Sequence, residues 1–359
     1  MRFFCIIKQM MKNTRNRKCR ICAAAVFAVA CFTLLCAGCG PSVSEAKSVS
    51  REFFAMDTVM QLAVNGRNAE SAADLAAAEI TRLEKLLDAG AEDSEIGRIN
   101  AEGKGKLSPD GIALMKEAGL LYEETGGLFD VTVYPVVELW GFISKEFRIP
   151  SDDELLKALD LVGMDTIEAF DPESGRLVLG GEGRKIDFGG IAKGYAAERV
   201  CTILKEKGIR SALINLGGNV QALGAKPDGS AWRIGIRNPK GGEYLGVVSC
   251  KDRAVVTSGG YERYFEQDGK TYHHIIDPRT GYPAESGLVS VTIVTADGLL
   301  ADGLSTSLFI MGEDEAIRFW RERTDRFDMV LLTADGRLLV SEGLKDSFVS
   351  SMPVTLIEK

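Results

Sequence analysis

A succession of short apolar segments in the second half of the chain constrains the fold more than any other feature. Each segment is rich in β-branched and aromatic residues and is bounded by glycine or polar turns, as in Gly217-Gly218. The predicted strands are 213–216, 220–223, 232–237, 246–251, 254–257, 261–266, 270–276 and 289–294. Hairpin spacing of this kind is typical of antiparallel rather than doubly wound parallel sheets. The sequence therefore predicts an α+β fold, a largely antiparallel sheet with flanking helices.

The remaining segments alternate between helical and extended patterns. Apolar residues at three- and four-residue spacing, helix caps and stop glycines define the helices. The predicted helices are 68–89, 93–100, 109–125, 151–162, 191–207, 301–308 and 313–323, and the further strands are 53–64, 184–188, 329–333 and 337–340. Ser151 and Glu154 form the pattern of a capping box. No repeat or linker divides residues 51–359, which are predicted to form one domain.

The first 38 residues have the composition of an export leader. They hold seven basic residues and no acidic ones, followed by the apolar run 21–38. Cys36-Ala37-Gly38-Cys39 resembles a bacterial lipoprotein box, which predicts a signal peptide at 1–38, lipidation of Cys39 and a lipid-anchored tether at 39–50. An uncleaved run would be close to the roughly 18 residues that can anchor a chain in a membrane. Both interpretations place the folded domain outside the bacterial cytoplasm, attached to the cell membrane.

Charge and cysteine content narrow the function classes. Removal of the leader takes away seven of the 43 basic residues. The 36 that remain, with the 51 acidic residues, give a net charge of −15. Nucleic acid is excluded as a partner, because phosphate binding requires a basic surface. Outside the leader region only Cys201 and Cys250 remain, as either one disulfide or two free buried thiols.

The only two histidines of the chain are adjacent, at the end of a predicted strand. His273 and His274 precede the turn Asp277-Pro-Arg-Thr-Gly281. Neighbouring side chains of a strand point to opposite faces, so one histidine can face a site while the other packs. A histidine in a strand is more often structural than catalytic, and other segments must decide between these roles.

Two further segments suit the binding of an anion and a metal ion. Gly189-Gly190 feeds the N-terminus of a helix, where unpaired N–H groups attract anions, and Lys193 in its first turn is explained if it meets a phosphate. Asp302 and Thr306 lie four residues apart on one predicted helix face and supply the hard oxygen ligands that Mg²⁺ prefers. Taken alone, an ordinary helix surface, or a threonine hydroxyl bonded to a main-chain carbonyl, is the commoner explanation of the second pair.

The aromatic segment 128–142 holds Leu128, Phe129, Asp130 and Trp140 around a loop. That composition suits a planar ring as well as simple core packing. Taken in order, five blocks resemble the ApbE family of FAD:protein FMN transferases. They are Met56-Asp-Thr58; 93–100; 129–142; Asp187-Phe-Gly-Gly-Ile-Ala-Lys193-Gly-Tyr195; and His274 to Gly281 followed by Ala301 to Thr306, with Asn215 to Asn219 and Thr257-Ser-Gly to Tyr264 between them.

The resemblance implies an ApbE-like fold and roles for particular residues. The implied FAD contacts are Met56, Leu128, Phe129, Asp130, Asp187, Lys193 and Ile276. The implied Mg²⁺ ligands are Asp302, Thr306 and the main-chain oxygen of Gly190, and His274 matches the family's histidine. Gly303 replaces a common alanine, which predicts a slightly looser metal-binding helix.

The activity implied by the resemblance is transfer of the FMN half of FAD, as substrate, onto a threonine or serine of a target protein, with release of AMP. The implied acceptors are membrane electron-transfer subunits or secreted flavoproteins. Two alternatives stay open: an Mg²⁺-dependent FAD pyrophosphatase, in which water replaces the acceptor, and a flavin-binding lipoprotein without chemistry. A pure binding protein has no need for a general base such as His274.

Overall fold

The computed structural model describes residues 47–323 and 326–359. The leader 1–38, Cys39 and most of the tether lie outside the described residues. The helices of the described part are α1 (Ala69–Leu87), α2 (Glu95–Glu102), α3 (Pro109–Glu124), α4 (Tyr134–Leu139), α5 (Asp152–Leu159), α6 (Ala192–Glu206), α7 (Gly298–Met311) and α8 (Glu313–Arg321). None of these helices is long and apolar enough to span a membrane.

Strands make up most of the remaining regular structure. They are β1 (Lys47–Ala55), β2 (Thr58–Gly66), β3 (Lys104–Lys106), β4 (Ala169–Phe170), β5 (Arg176–Val178), β6 (Ser211–Leu216), β7 (Asn219–Leu223), β8 (Trp232–Ile236), β9 (Gly246–Cys250), β10 (Ala254–Gly259), β11 (Tyr264–Gln267), β12 (Lys270–His273), β13 (Leu288–Thr295), β14 (Asp328–Thr333), β15 (Leu338–Ser341), β16 (Phe348–Val349) and β17 (Val354–Ile357). Strands and helices together confirm the predicted α+β class.

One large sheet organises the described residues. Its nine strands run in the order β1-β2-β6-β7-β10-β13-β14-β15-β17. Every neighbouring pair is antiparallel except β15 and β17, which run parallel. The smaller sheets are β16-β9-β8, β3-β5-β4 and the hairpin β11-β12. The prediction of a largely antiparallel sheet is therefore confirmed.

Apolar cores cover both faces of the large sheet. On one face, residues such as Leu62 and Ile293 pack with buried side chains of α1, α6 and α7. On the other face, Val255 and Val330 pack with Trp232 of the β16-β9-β8 sheet. The alternation of side chains along each strand sorts them between these two cores. A third cluster, around Trp140, lies beneath the β11-β12 hairpin.

Several loops that carry predicted site residues emerge at one end of the large sheet. The register pairs Ala55 with Thr58 and Leu216 with Asn219, so the turns at 56–57 and 217–218 lie at the same end. Asn219 pairs with Val256, which places the end of β10 there as well. This arrangement brings together segments that are far apart in the sequence.

Several predicted boundaries are wrong, including those of strands 261–266 and 270–276, which the structure places at Tyr264–Gln267 and Lys270–His273. Residues 53–64 form parts of two strands, β1 and β2, joined by a tight turn. Residues 184–188 form no strand, because Ile186 pairs both main-chain groups with the side-chain amide of Asn100 instead of a neighbouring strand. β1 begins at Lys47, so the last four residues of the predicted tether, 47–50, belong to the sheet.

Both described cysteines are free and buried, which resolves the two alternatives in favour of separate thiols. Cys201 lies on the helix-covered side of the large sheet and Cys250 on the side covered by the small sheet. Burial raises the pKa of Cys201 to about 12 and that of Cys250 to about 11. Neither thiol is therefore ionised near neutral pH.

Candidate active site

The glycine-rich segment 187–194 is a tight turn that starts α6 against α7. The Gly194 N–H donates to Oδ2 of Asp302 at 2.8 Å. A Cβ on Gly194 would lie 2.4 Å from the Gly298 carbonyl oxygen and 2.9 Å from the Asp302 Cβ. Only glycine permits this approach of the two helices. The turn and the middle of α7 therefore form one surface, as the predicted site requires.

Asp302 is a buried carboxylate, only 6% exposed. Burial raises its pKa, and the positive charge of Lys193 and the Gly194 N–H oppose that shift. Thr306 follows one helical turn later and is half-buried. The structure thus places a carboxylate and a hydroxyl one turn apart on α7, with the charge of Lys193 acting on the carboxylate.

Gly190 lies in the same turn, with its backbone held against an aromatic ring. A Cβ at this position would be 3.0 Å from Cε2 of Phe129. Among residues 47–323 and 326–359, no cluster of three or more His, Cys, Asp or Glu side chains could hold a metal. A carboxylate, a hydroxyl and a main-chain oxygen are instead the kinds of oxygen donor that Mg²⁺ accepts alongside water and phosphate. The donors Asp302, Thr306 and Gly190 therefore fit Mg²⁺ rather than a zinc-type ion.

His274 is the first residue after β12, and its ring contacts different residues from the ring of His273. Its Nδ1 is 3.1 Å from the main-chain oxygen of Arg263, and its ring meets Phe142 edge-on at 6.4 Å. A carbonyl oxygen only accepts, so Nδ1 carries the hydrogen of the neutral ring and Nε2 keeps a free lone pair. Burial lowers the pKa of His274 to about 3, and the charges of Arg263 and Lys193 act in the same direction. His274 is therefore neutral at physiological pH.

His273 occupies the packing position predicted for it. Its Nε2 donates to the main-chain oxygen of Ala284 at 3.1 Å, and its ring meets Phe309 edge-on at 5.4 Å. Burial lowers its pKa as well. The adjacent histidines therefore face different surroundings, as alternation along an extended segment requires.

Asp187 links the turn to the aromatic segment. Its N–H donates to the Val131 oxygen at 2.8 Å, and its Oδ1 accepts from the Gly189 N–H at 2.9 Å. Burial raises the pKa of Asp187, whereas the positive charges of Arg263 and Lys193 lower it. The same two cations act on His274. Asp187, Lys193 and His274 therefore belong to one electrostatic environment.

Most other predicted FAD contacts use their side chains in packing. Leu128 and Phe129 are buried in the main core, and Ile276 is buried in the cluster around Trp140. The Asp130 carboxylate accepts from the N–H and the hydroxyl of Thr132 at 2.8 and 2.5 Å. These side chains hold the loop in place, so a ligand at Leu128, Phe129 or Asp130 would meet mainly the backbone.

Met56 stands in an unusual backbone conformation. Met56 and Asp57 form the two-residue turn between β1 and β2, with φ of 47° and 59°. Such turns favour Asn and Gly, because other side chains are strained at positive φ. The Met56 N–H donates to Oε1 of Glu84 at 2.6 Å, and Asp57 forms an ion pair with Lys145 at 3.5 Å. Strain of this kind is concentrated at functional sites.

Sequence reasoning missed two groups at the site. Arg263 supplies both the carbonyl that binds His274 and a positive charge. Ser258 contacts the hydroxyl of Thr306. Both belong to the Thr257-Ser-Gly to Tyr264 segment, which the resemblance used only as a spacer. A basic residue and a hydroxyl within that short segment were the available signal.

Comparisons with known proteins agree with this geometry. Residues 56–331 match the model of the ApbE family. An FAD:protein FMN transferase from Treponema pallidum is 32% identical over 338 residues, covering 87% of this chain and 93% of the relative. Another, from Vibrio cholerae, is 36% identical over 253 residues, covering 68% and 75%.

Solved structures show the same fold. The ApbE protein from Thermotoga maritima superposes with a TM-score of 0.78 at 34% identity, covering 83% of this chain and 98% of that one. The flavin transferase ApbE from Vibrio cholerae superposes with a TM-score of 0.74 at 27% identity, covering 84% and 99%. The ApbE-like fold predicted from the sequence is thereby confirmed.

Proposed function

This chain belongs to the ApbE family, and on that premise we propose that it is an FAD:protein FMN transferase that uses FAD as substrate. The acceptor is a threonine or serine hydroxyl of a target protein. Its oxygen attacks the phosphorus on the FMN side of the pyrophosphate, the bond from that phosphorus to the bridging oxygen breaks, and AMP leaves. The observation that carries the proposal is that the charge of Lys193 acts on both His274 and the buried Asp302 carboxylate, which binds the N–H of Gly194 beside that lysine.

His274 takes the proton of the acceptor hydroxyl. Its Nδ1–H is held by the Arg263 carbonyl, so the free lone pair on Nε2 is the proton acceptor. Burial keeps the ring unprotonated in the free protein, and the added negative charge of a bound pyrophosphate favours protonation during the reaction. General base catalysis of this kind contributes about 10²- to 10⁴-fold to the rate.

The remaining groups neutralise charge and position the substrate. The Lys193 side chain neutralises the phosphates, and Asp187 and Met56 contact the rest of FAD. The N–H groups of Ala192 and Gly194, which the sequence offered as anion donors, already donate to the Phe188 oxygen and to Asp302. The residues that would hold Mg²⁺ are Asp302, Thr306 and the main-chain oxygen of Gly190. Bound there, Mg²⁺ supplies charge neutralisation for the transferred phosphoryl group and the leaving phosphate.

Membrane attachment belongs to the same proposal. The leader carries the protein out of the cytoplasm, and lipidated Cys39, or the uncleaved apolar run, holds it at the outer face of the bacterial cell membrane. Acceptors exposed on that side are membrane electron-transfer subunits or secreted flavoproteins. The segment 40–46 then spaces the domain from the membrane.

One experiment separates this proposal from its alternatives. The full chain, purified in detergent, is incubated with FAD, Mg²⁺ and a candidate acceptor domain. We expect denaturation-resistant flavin fluorescence on the acceptor, equimolar AMP, and loss of both with EDTA. Free FMN and AMP with every acceptor offered would support the pyrophosphatase, and tightly bound but intact FAD would support the flavin-binding lipoprotein.

A further inference from the structure

A chain of three hydroxyl groups connects the large sheet to the middle of α7. Ser258 Oγ lies 2.7 Å from Ser305 Oγ and 3.3 Å from Thr306 Oγ1. Ser305 Oγ lies 2.8 Å from the main-chain oxygen of Asp302. The series of hydroxyl groups therefore begins at one proposed metal ligand, Thr306, and ends at the main-chain oxygen of another, Asp302.

The register of the sheet explains why Ser258 reaches α7. Side chains at alternate positions of β10 point to the same face of the sheet. Ala254 and Val256 pack in the core that α7 covers, whereas Val255 packs in the core on the opposite face. Ser258 continues the series of Ala254 and Val256, so its hydroxyl faces the helix.

The direction of the hydrogen bonds in this chain is fixed from one end. A carbonyl oxygen only accepts, so Ser305 donates its hydrogen to Asp302. Ser305 Oγ can then only accept from Ser258, which spends the one hydrogen of its hydroxyl there. Ser258 Oγ is left to accept from Thr306, at the longest distance of the chain.

The consequence falls on the oxygen of Thr306. Because its hydrogen points to Ser258, its lone pairs stay available to a cation. A hydroxyl binds a cation through lone pairs, and a hydrogen pointing at the cation would repel it. The chain thus presents Thr306 in the orientation that a metal ligand needs before any metal arrives.

We propose that Ser258 is a positioning residue that, through Ser305, orients the Thr306 hydroxyl for Mg²⁺ and so sets the metal affinity of the site. The inference rests on the proposed function in one respect, the assignment of Mg²⁺ to Asp302 and Thr306. Partners that orient metal ligands in this way typically contribute about 10- to 100-fold to metal affinity.

The test measures metal binding rather than turnover. Mn²⁺ replaces Mg²⁺ as the probe, and free Mn²⁺ is followed by its electron paramagnetic resonance signal while the full chain is titrated in detergent with FAD and without acceptor. FAD alone provides the correction for metal bound by its pyrophosphate. FAD affinity in EDTA, measured by flavin fluorescence, reports whether each variant keeps its folded binding site.

Three variants and a matched control define the expected pattern. Ser258→Ala should weaken Mn²⁺ binding by about 10-fold or more, with unchanged FAD affinity in EDTA. Ser305→Ala should also weaken it, because the Ser258 hydrogen is then free to turn toward Thr306, but less strongly, because Ser258 Oγ can still accept from Thr306. Ser258→Thr keeps the hydroxyl and should restore near-normal binding. Ser307→Ala removes an equally buried serine of α7 that donates to the Gly303 oxygen, and should change nothing.

The outcomes separate this inference from the function on which it rests. Equal Mn²⁺ affinity in Ser258→Ala and the unaltered chain overturns the role of Ser258 and leaves the transferase proposal intact. A weakened Ser258→Ala that Ser258→Thr fails to restore also overturns it, because the hydroxyl is then not the determinant. FAD binding without any Mn²⁺ binding by the unaltered chain overturns both this inference and the assignment of the metal ligands.

Discussion

Nδ1 of His274 and the main-chain oxygen of Arg263 are 3.1 Å apart, and the His274 N–H donates to the same oxygen at 3.0 Å. One carbonyl thus fixes both the backbone and the ring of the proposed base. The ring cannot turn without losing this bond. Arg263 also brings a positive charge near His274 and Asp187.

Replacing the proposed base should separate binding from transfer. His274→Ala should bind FAD with nearly unchanged affinity but transfer FMN about 10²- to 10⁴-fold more slowly, because the acceptor proton has no base. Single-turnover labelling of the acceptor gives the rate, and fluorescence titration gives FAD affinity. His273→Ala is the matched control: it should lower thermal stability while the folded protein still transfers FMN. Normal labelling by His274→Ala would remove the histidine from the mechanism.

The titration of His274 should differ sharply from that of an exposed histidine. Burial lowers its pKa to about 3, so the ring of the free protein should stay neutral from pH 8 down to pH 5. The measurement is the chemical shift of the ring carbons by NMR, assigned with His274→Ala. An inflection near the ordinary value of about 6.5 would show that the ring is hydrated rather than buried.

Glu198 should make the protein less stable as pH rises. Its Oε1 accepts from the N–H groups of Gly298 and Leu299, next to Asp297, which caps α7. Burial and the negative charge of Asp297 raise the pKa of Glu198 to about 7, and burial and the same charge raise the pKa of Glu117. The protonated form is favoured on folding, so this stabilisation is complete below about pH 4.5 and is lost as pH rises through 7.

Glu198→Gln keeps the accepting oxygen without the charge. It should raise the melting temperature at pH 8 by roughly 2–6 °C and flatten its fall between pH 5 and pH 8. Calorimetric scans across that range provide the measurement. Glu206→Gln, at an exposed position of the same helix, should leave the pH profile unaltered. A Glu198→Gln profile parallel to that of the unaltered protein would contradict the raised pKa.

Removing the backbone strain at the second residue of the turn between β1 and β2 should make the folded protein more stable. Asp57→Gly, at φ 59°, should stabilise the protein by about 1 kcal/mol, because the exposed ion pair with Lys145 contributes little. Asp57→Ala loses the same ion pair but keeps the strain, and should give no gain. Urea denaturation measures both. Equal stabilities for the Gly and Ala variants would show that the turn is unstrained.

The antiparallel sheet could be predicted because its signals are local. A few neighbouring residues are enough to predict the hairpin turn at Gly217-Gly218 and the capping box of Ser151 and Glu154, and the structure contains both. The split between His273 and His274 follows from the period of an extended chain and is equally local.

The errors arose where distant side chains replace local signals. Met56-Asp57 lacks the glycine that usually marks a two-residue hairpin turn, so 53–64 resembled one continuous strand. The segment 184–188 has the composition of a strand, but Asn100, in a remote helix, takes up the main-chain groups of Ile186. The pairing of Asn100 with Ile186 cannot be predicted without the fold.

Gly303 illustrates the same limit within the site. The sequence predicts a looser helix here, yet a Cβ at Gly303 would lie only 2.4 Å from Cδ1 of Leu121 in α3. The Leu121 side chain occupies the space that a Cβ of residue 303 would need, so α7 is closely packed at this point rather than loosened. Ser258 was missed for a related reason, since its partners Ser305 and Thr306 belong to another element.

The positions of the two thiols have a practical consequence. Cys201 and Cys250 lie on opposite sides of the large sheet, so no covalent cross-link can form between them in the folded domain. The fold of the described residues therefore depends on neither an oxidising compartment nor a disulfide isomerase. The same domain should mature equally well in a reducing cell-free translation mixture and in the oxidising space that its leader predicts.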